Sequence, residues 1–314
     1  MKKWFQAYYS SLFIHLRYAY YQFLRLKVPS RKYVAKRHYR HLGVMPNLTH
    51  PKTYNEKLLW MMLYWQNDQA KICADKYLVR DYVKQKIGDA VLNEVYQVVS
   101  KAKHINLSAL PDKFVIKSTQ GSGMNYICTD KSRLTLQDII KATRGYTLTN
   151  YYYAKGREWV YKDMKPQIIV EKFLGEGNEV PRDYKIYCFH GEPFMIQVDI
   201  NRFHKSHREN YYDTNWNLLP IMDLDCPSDP SLIEPAPESL PKLLDHARKL
   251  SDGFPHVRVD FYIIDKTRIV FGEMTFFTAC GMTNWQPKEF DSVLGAKIKL
   301  PKYEQTTSHD RNNS

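Results

Sequence analysis

Residues 256–281, HVRVDFYIIDKTRIVFGEMTFFTACG, set the tightest limit on what this chain can fold into, because they alternate as two short strands with an acid on each. Val257, Val259, Phe261 and Ile263 point one way, and Arg258, Asp260 and Tyr262 the other. On the second strand Glu273 and Thr275 share a face. A two-residue turn at Lys266 and Thr267 gives an antiparallel register with Asp260 opposite Glu273 and Arg258 opposite Thr275. Carboxylates held across a strand pair, with Cβ atoms about 5 Å apart, repel each other. An exposed hairpin with its acids solvated beside Arg258 accounts for the pattern. So does a divalent cation, most naturally Mg²⁺, which takes one or two carboxylates and leaves its other positions to water and phosphates. The pattern leaves both readings open, and the second directs attention to groups that hold a nucleotide.

The chain has 314 residues, 44% of them hydrophobic, which is enough for roughly two domains or one large one with a substantial core. Its formal charge of +13 looks like a nucleic-acid signal until its distribution is considered. Residues 1–40 hold ten Lys and Arg and no Asp or Glu, which leaves only +3 for the rest. No nucleic-acid partner is expected. The five cysteines are scattered with no Cys-x-x-Cys pair, which argues against a disulfide framework or structural zinc and for a reducing cytosol. Each cysteine reads as an ordinary thiol, and His204 with His207 as a solvated pair in a polar segment.

Residues 1–28 are rich in aromatics and Leu but interrupted by Gln6, Ser10, Ser11, His15, Arg17 and Gln22. A central Arg alone costs roughly 2.5–3.5 kcal/mol on insertion scales, so a membrane span is not expected. Nor is there a small-residue cleavage site of the secretory type. An amphipathic helix at an anionic membrane surface fits, with Trp4, Phe5, Tyr8, Leu12 and Phe13 dipping in and Arg25, Lys27, Arg31, Lys32, Lys36 and Arg37 meeting lipid. A helix packed on the protein's own core or on a partner fits equally. Residues 46–110 read as helical. Thr53 and Glu56 stand at capping-box spacing before a stripe of Leu58, Met62 and Trp65 that reads as core, and a second helix runs over residues 74–88.

Residues 113–130 read as two strands around a loop with Gly121, Ser122 and Gly123. Such a loop lets backbone N–H groups approach an anion, although a plain hairpin turn has the same composition. It lacks the Gly-Lys-Ser/Thr of a Walker loop, but Lys117 at the end of its first strand reaches the same region. Thr135 and Asp138 cap a further helix. QIIVEKFL, residues 167–174, is a buried strand, and DYKIYCFHGEPFMIQVDI is a hairpin turning at His190-Gly191-Glu192 with Asp183, Lys185 and Tyr187 on one face. Arg202, Lys205 and Arg208 then cluster within seven residues. Such a cluster is usually solvated, yet near a nucleotide it would meet phosphate or an acidic substrate.

The order of these pieces, from Asp75-Lys76 through FVIKSTQGSG, IIVEKFL, DYKIYCF, RVDFYII and FGEMTFF to the small-residue turn before Gly281, resembles the ATP-grasp superfamily over roughly residues 40–300. It is most similar to the TupA-like branch of bacterial surface-polysaccharide enzymes. The resemblance implies an α+β ATP-grasp fold, two α+β lobes holding ATP between them after an N-terminal helical region. The expected division is a basic aromatic-rich segment at 1–45, helices at 46–110, the ATP-grasp domain at 111–302 and a disordered tail at 303–314.

The resemblance further implies that Lys76 and Lys117 contact the α- and β-phosphates and that Gly121, Ser122 and Gly123 cover them. Glu171, Lys172, Phe173 and Leu174 correspond to the adenine hinge and Glu179 to the acid on the ribose, with Glu176 or Asn178 as alternatives. Lys185 corresponds to a γ-phosphate ligand, and Arg258 to the arginine that stabilises the transferred phosphoryl group. Arg202, Lys205 and Arg208 stand beside them as candidate catalytic cations. Asp260 and Glu273 correspond to the Mg²⁺ ligands, and Thr275 replaces the Asn of many relatives.

The implied activity is an ATP- and Mg²⁺-dependent carboxylate–amine ligase working through an acylphosphate. Its acceptor would be a uronic-acid saccharide or lipid-linked glycan and its amine an amino acid, in the cytoplasm or at the inner face of a bacterial plasma membrane. A phosphotransferase or sugar-modifying transferase of the same pathway is the enzymatic alternative. A membrane-associated polyanion-binding protein with an inactive nucleotide fold is the non-enzymatic one.

Overall fold

The computed structural model describes residues 16, 18–23, 27–148, 150–175, 180–202 and 206–302. The expectations for Trp4, Phe5, Tyr8, Leu12, Phe13, Arg25, Glu176, Asn178, Glu179, Lys205 and the tail lie outside the described residues. Helices come first: α1 (Ser30–Leu42), α2 (Tyr54–Tyr64), α3 (Asp68–Ala74) and α4 (Val79–Ile87). The capping box of α2 forms as its spacing predicts. Thr53 accepts the Glu56 N–H at 3.3 Å, and Glu56 accepts the Thr53 N–H at 3.2 Å. Leu58, Leu59, Met61 and Met62 are buried, so the Met and aromatic stripe is core.

The helix expected over 74–88 begins only at Val79. Asp75 is the reason: its carboxylate accepts the N–H groups of Tyr77 and Leu78 at 2.8 and 3.0 Å, and such local bonds compete with helix pairing. The break frees Lys76 to leave the helical layer. Its N–H bonds the Thr119 carbonyl at 2.9 Å, at the edge of the glycine loop.

Two antiparallel sheets follow. The first has the order β1-β4-β2-β3, from β1 (Val95–Val99), β2 (Phe114–Ser118), β3 (Asn125–Cys128) and β4 (Ile168–Lys172). Strand β1 thus lies within the span expected to be helical. Between β3 and β4 run α5 (Leu136–Ala142), α6 (Gly145–Leu148) and α7 (Tyr151–Ala154). This sheet has its own small core of Phe114, Ile116, Ile139, Ile168 and Val170.

The second sheet has the order β10-β9-β5-β6-β7, from β5 (Asp183–Phe189), β6 (Glu192–Ile200), β7 (Arg208–Asp213), β9 (His256–Ile264) and β10 (Arg268–Thr275). A short β8 (Met222–Asp223) pairs with β11 (Trp285–Gln286). Helix α8 (Leu240–Ser251) lays Leu243, Ala247 and Leu250, each 0% exposed, on the apolar face with Val257, Val259 and Phe261. Helix α9 (Glu289–Lys297) closes the described chain against α2.

The other face of this sheet is polar. Cross-strand partners share a face, and the register sets Lys185 against Asp260 and Gln197, and Asp199 against Glu209. Asp260 also faces Glu273, and Arg258 faces Thr275, as the alternation predicts. The route differs from the two-residue turn. Ile264 pairs with Arg268 across three residues, and a bulge between Phe271 and Glu273 restores the pairing. At Gly272 an added Cβ would stand 2.9 Å from the Asp260 carbonyl oxygen, so the bulge is drawn tight. It also turns Phe271 into the core beside Phe261, 6.1 Å between ring centres, while Glu273 faces the opposite way.

Candidate active site

The polar face of the second sheet and the end of the first meet in one cleft. Lys76, Lys117, Ser122, Gly123, Asn125, Asp183, Arg202, Asp260, Tyr262, Gly272 and Glu273 line its charged end. Next to this, Val115, Ile127, Lys172, Phe173, Leu174, Val180 and Tyr262 line an apolar end. Lys76, Lys117, Arg202, Asp260 and Glu273, singled out from segments far apart in sequence, therefore face one space, and Glu171, Lys185 and Arg258 lie in the ion pairs behind them.

Five cations and five acids interleave at the charged end, each cation on an acid. Lys76 Nζ lies 3.1 Å from Glu273 Oε2, and Lys117 Nζ 2.7 Å from Glu171 Oε2. Lys185 pairs with Asp199, and Arg202 with Asp183. Arg258 grips Asp260 with two parallel bonds, Nε to Oδ1 at 2.8 Å and Nη2 to Oδ2 at 2.7 Å. Its Nη2 also reaches Glu273 Oε1 at 3.9 Å and Thr275 Oγ1 at 3.4 Å. Thr275 in turn donates to Glu273 Oε1 at 3.4 Å. Asp260, Glu273 and Thr275 thus form one oxygen-rich patch around a single guanidinium.

Burial sets the protonation of these groups together with the neighbours. It pushes the Asp260 carboxyl up, against the pull of Arg258. Burial also raises Glu273, but the Lys76 ammonium and the Arg258 guanidinium outweigh it and hold the carboxyl near 2. Asp199 follows the same balance. Its burial is opposed by His207, Lys185 and Gln197, and the carboxyl stays near 2. Lys117 would be lowered by burial, yet Glu171 and Tyr262 carry it above the ordinary value for lysine. The cations against Asp260 and Glu273 thus oppose the effect of burial on both carboxyls, and at Glu273 they prevail.

The loop of Gly121 to Gly123 arches over this end. Lys76 Nζ donates to the Gly121 carbonyl, and Ser122 Oγ stands 3.0 Å from Tyr151 Oη. Gly121 adopts φ +62° and packs so closely that a Cβ would fall 2.2 Å from the Tyr151 ring. Any side chain there would displace the loop. At the hinge, Glu171 turns to Lys117, whereas Lys172, Phe173 and Leu174 line the apolar end.

Arg208 does not join the cleft residues. Its Nη1 donates to the His207 carbonyl at 2.7 Å, and strand alternation puts it on the face opposite Glu209 and Asp199. His207, read as solvated, instead approaches Cys226 and Asp199. The sequence pattern puts Asp183 and Tyr262 on these faces without a role and leaves Asp199 unmarked. The polar pair Gln197 and Asp199 at period two inside an otherwise apolar strand was the available signal. The sequence reading missed Glu158, 5% exposed, which accepts a bond from Cys280 Sγ at 3.2 Å. Burial lifts its carboxyl to about 7, against the pull of Cys280 and Arg37.

Among solved structures, the chain is similar to D-alanine–D-alanine ligase from Bacillus anthracis complexed with ATP. The identity is 14%, with 65% of this chain and 54% of that chain covered and a TM-score of 0.37. N5-carboxyaminoimidazole synthetase from Staphylococcus aureus complexed with ADP is similar at 13% identity, with coverage of 74% and 53% and a TM-score of 0.39. The ATP-grasp ligase PsnB complexed with minimal precursor, Mg and ADP is similar at 10% identity, with coverage of 74% and 61% and a TM-score of 0.38. The chain spans about half the length of the first of these structures. No curated protein sequence matches it. The family model described as TupA-like ATPgrasp matches residues 56–299, well over half the chain, and the protein belongs to that family.

Proposed function

We propose that this protein is an ATP- and Mg²⁺-dependent carboxylate–amine ligase acting through an acylphosphate, and that it joins an amino acid to a uronic-acid-containing bacterial surface polysaccharide or its lipid-linked precursor. The observation that carries the ligase reading is the interleaving of five cations with five acids beneath a glycine loop. The donor set fits the metal: two carboxylates and a hydroxyl are hard oxygen ligands, of the kind Mg²⁺ takes alongside phosphate and water. Magnesium would supply neutralisation of the phosphate charge.

The side chains supply the rest. Lys76 and Arg258 are placed to exchange Glu273 and Asp260 for phosphate oxygens, which releases the two carboxylates as ligands. Lys117, Lys185 and Arg202 add positive charge along the same line, and the Gly121–Gly123 backbone shields it from water. Phe173, Leu174 and Val115 offer an apolar seat for a flat base. A carboxylate is a poor acyl donor because its leaving group is oxide. Phosphorylation replaces that with phosphate, after which an amine attacks the acyl carbon and phosphate departs. Positioning and charge neutralisation suffice for both steps, so no side-chain nucleophile is required.

The acceptor assignment rests on the surface-polysaccharide character of the TupA-like branch and on the basic N-terminus. Residues 16 and 18–23 are helical, and Tyr18 packs edge-on against Tyr153 at 6.3 Å. Leu16, Tyr20 and Phe23, at i, i+4 and i+7, are 59%, 58% and 55% exposed. An apolar ridge in so basic a segment suits an anionic lipid surface. Among the described residues no helix is long and apolar enough to cross a membrane.

Incubation with ATP, Mg²⁺, a panel of uronic-acid saccharides and a panel of amino acids tests the reading. ADP and phosphate are expected only when acceptor and amine are both present. ADP with a stable phosphorylated acceptor would replace the ligase by a phosphotransferase. Absence of ATP binding, with no effect of Asp260→Ala or Glu273→Ala, would overturn both.

A further inference from the structure

Beyond the cleft, three side chains of different chemistry converge at the edge of the second sheet. His207 precedes β7, Glu209 lies within it, and Cys226 sits on the loop after β8. One donor atom from each lies within 4.8 Å of the other two. The fold brings them together in two ways. Asp223 bridges to Cys226 and curls the loop back, and Ser228 Oγ donates to the Glu209 carbonyl at 2.7 Å and ties that loop to the strand.

Cys226 Sγ and His207 Nδ1 are 3.4 Å apart. Tetrahedral Zn²⁺ with bonds of roughly 2.0–2.3 Å sets its ligands about 3.3–3.7 Å apart, so thiol and imidazole already stand at ligand spacing. A shift of Glu209 by about 1 Å, within reach of its side-chain torsions, brings in the third donor. The far ring nitrogen, His207 Nε2, is buried without a hydrogen bond and faces Asp199 Oδ2 at 3.7 Å. Tyr211 Oη donates to Glu209 Oε2 at 3.0 Å. Zinc-ligating histidines ordinarily turn their second nitrogen to a carboxylate, and ligating carboxylates are themselves hydrogen-bonded. A plain thiol–imidazole hydrogen bond requires neither the third donor nor the acid behind the ring.

We propose that His207, Glu209 and Cys226 form a Zn²⁺ site with three protein ligands and an open fourth position, its histidine oriented by Asp199. The donor set separates it from the Asp260–Glu273 patch, since thiolate and imidazole select zinc where carboxylates and a hydroxyl suit magnesium. Asp199 is a positioning residue here, and it links the two sites because it also holds Lys185 behind the cleft.

The test uses the untagged full-length chain, purified without metal-affinity resin and equilibrated with buffered Zn²⁺. One equivalent of zinc by elemental analysis is expected, and Co²⁺ in its place is expected to give a thiolate charge-transfer band with four-coordinate visible bands. Cys226→Ser should remove the charge-transfer band and lower zinc affinity by about two orders of magnitude, and Asp199→Asn should weaken binding roughly 10–100-fold while keeping the band. Far-UV circular dichroism checks that each variant is folded. A chelator-reversible rise of the unfolding temperature with zinc gives a readout on the unmodified chain. Substoichiometric zinc, or zinc held equally by Cys226→Ser and His207→Gln, would mean adventitious metal and overturn the site. None of these readouts depends on ATP or acceptor, so their failure is distinct from failure of the ligase reading.

Discussion

Lys117, on the first sheet at the cleft, and Lys185, buried on the polar face of the second sheet, are held differently. Lys117 reaches one acid, Glu171, on the neighbouring strand, and its side chain keeps 19% exposure. Lys185 is 7% exposed and its acid only 1%. That acid is also bonded by Gln197 at 3.0 Å and approached by Arg202 Nε at 3.5 Å and His207 Nε2 at 3.7 Å. The first is a pair and the second a node in a network. Lys117 has one acid partner and keeps some contact with solvent, so a ligand that takes the place of Glu171 disturbs a single ion pair. A network with each acceptor occupied resists such exchange and holds its members still. One lysine is held to trade partners, the other to fix distances.

The largest effect that bears on this contrast is expected from Lys185→Met. It takes from Asp199, whose side chain is 1% exposed, the nearest cation of its network and opens that network, and should lower stability by about 3–5 kcal/mol in urea unfolding. An equal loss in Lys117→Met would erase the distinction. Asp260→Asn comes next: ATP affinity in the presence of Mg²⁺ should fall about 100-fold, or about 2.7 kcal/mol, by calorimetric titration, while ATP binding in chelator changes little. An equal drop in chelator would put Asp260 on the structural side of the comparison. Lys117→Met should weaken ATP about tenfold, with a stability loss of only about 1–2 kcal/mol.

A smaller effect tests an acid outside both arrangements. Glu158 faces Cys280 and Arg37, with Glu273 and Lys76 acting from farther off. Its folded-state carboxyl is raised from 4.5 to about 7, so between those values the folded protein holds a proton that the unfolded chain has released. Stability should therefore fall as pH rises from 4.5 to 7. Glu158→Gln should remove that part of the slope in urea melts across this range, and an unchanged slope would place its origin elsewhere.

Much of this was legible in the chain. The alternation of residues 257–263 located the hairpin, and the capping spacings at Thr53 and Thr135 both produced the boxes they imply. Local chemistry also carried the glycine loop and the His190-Gly191 turn, where positive φ at both residues suits the two-residue hairpin. What stayed hidden depended on which strands become neighbours. Asp199 and Lys185 lie fourteen residues apart on a hairpin whose own bulge shifts the count, and only the folded register shows that they meet. Arg208 was misjudged for the converse reason. Closeness in sequence grouped it with Arg202, but β7 turns it to the face opposite Glu209. The break at Asp75 needed a competition between side chain and helix that periodicity does not weigh.

The bulge at Gly272 has a further consequence. Up to Phe271 the strand is read in one frame, odd residues inward, and from Glu273 onward in the other. A change that straightened the strand while leaving it paired would put Phe271 and Glu273 on one face, either burying Glu273 against Phe261 or turning Phe271 into the cleft. Such a protein would keep its fold class and core volume and lose its chemistry, because a single glycine decides which side of the sheet the acid is written on.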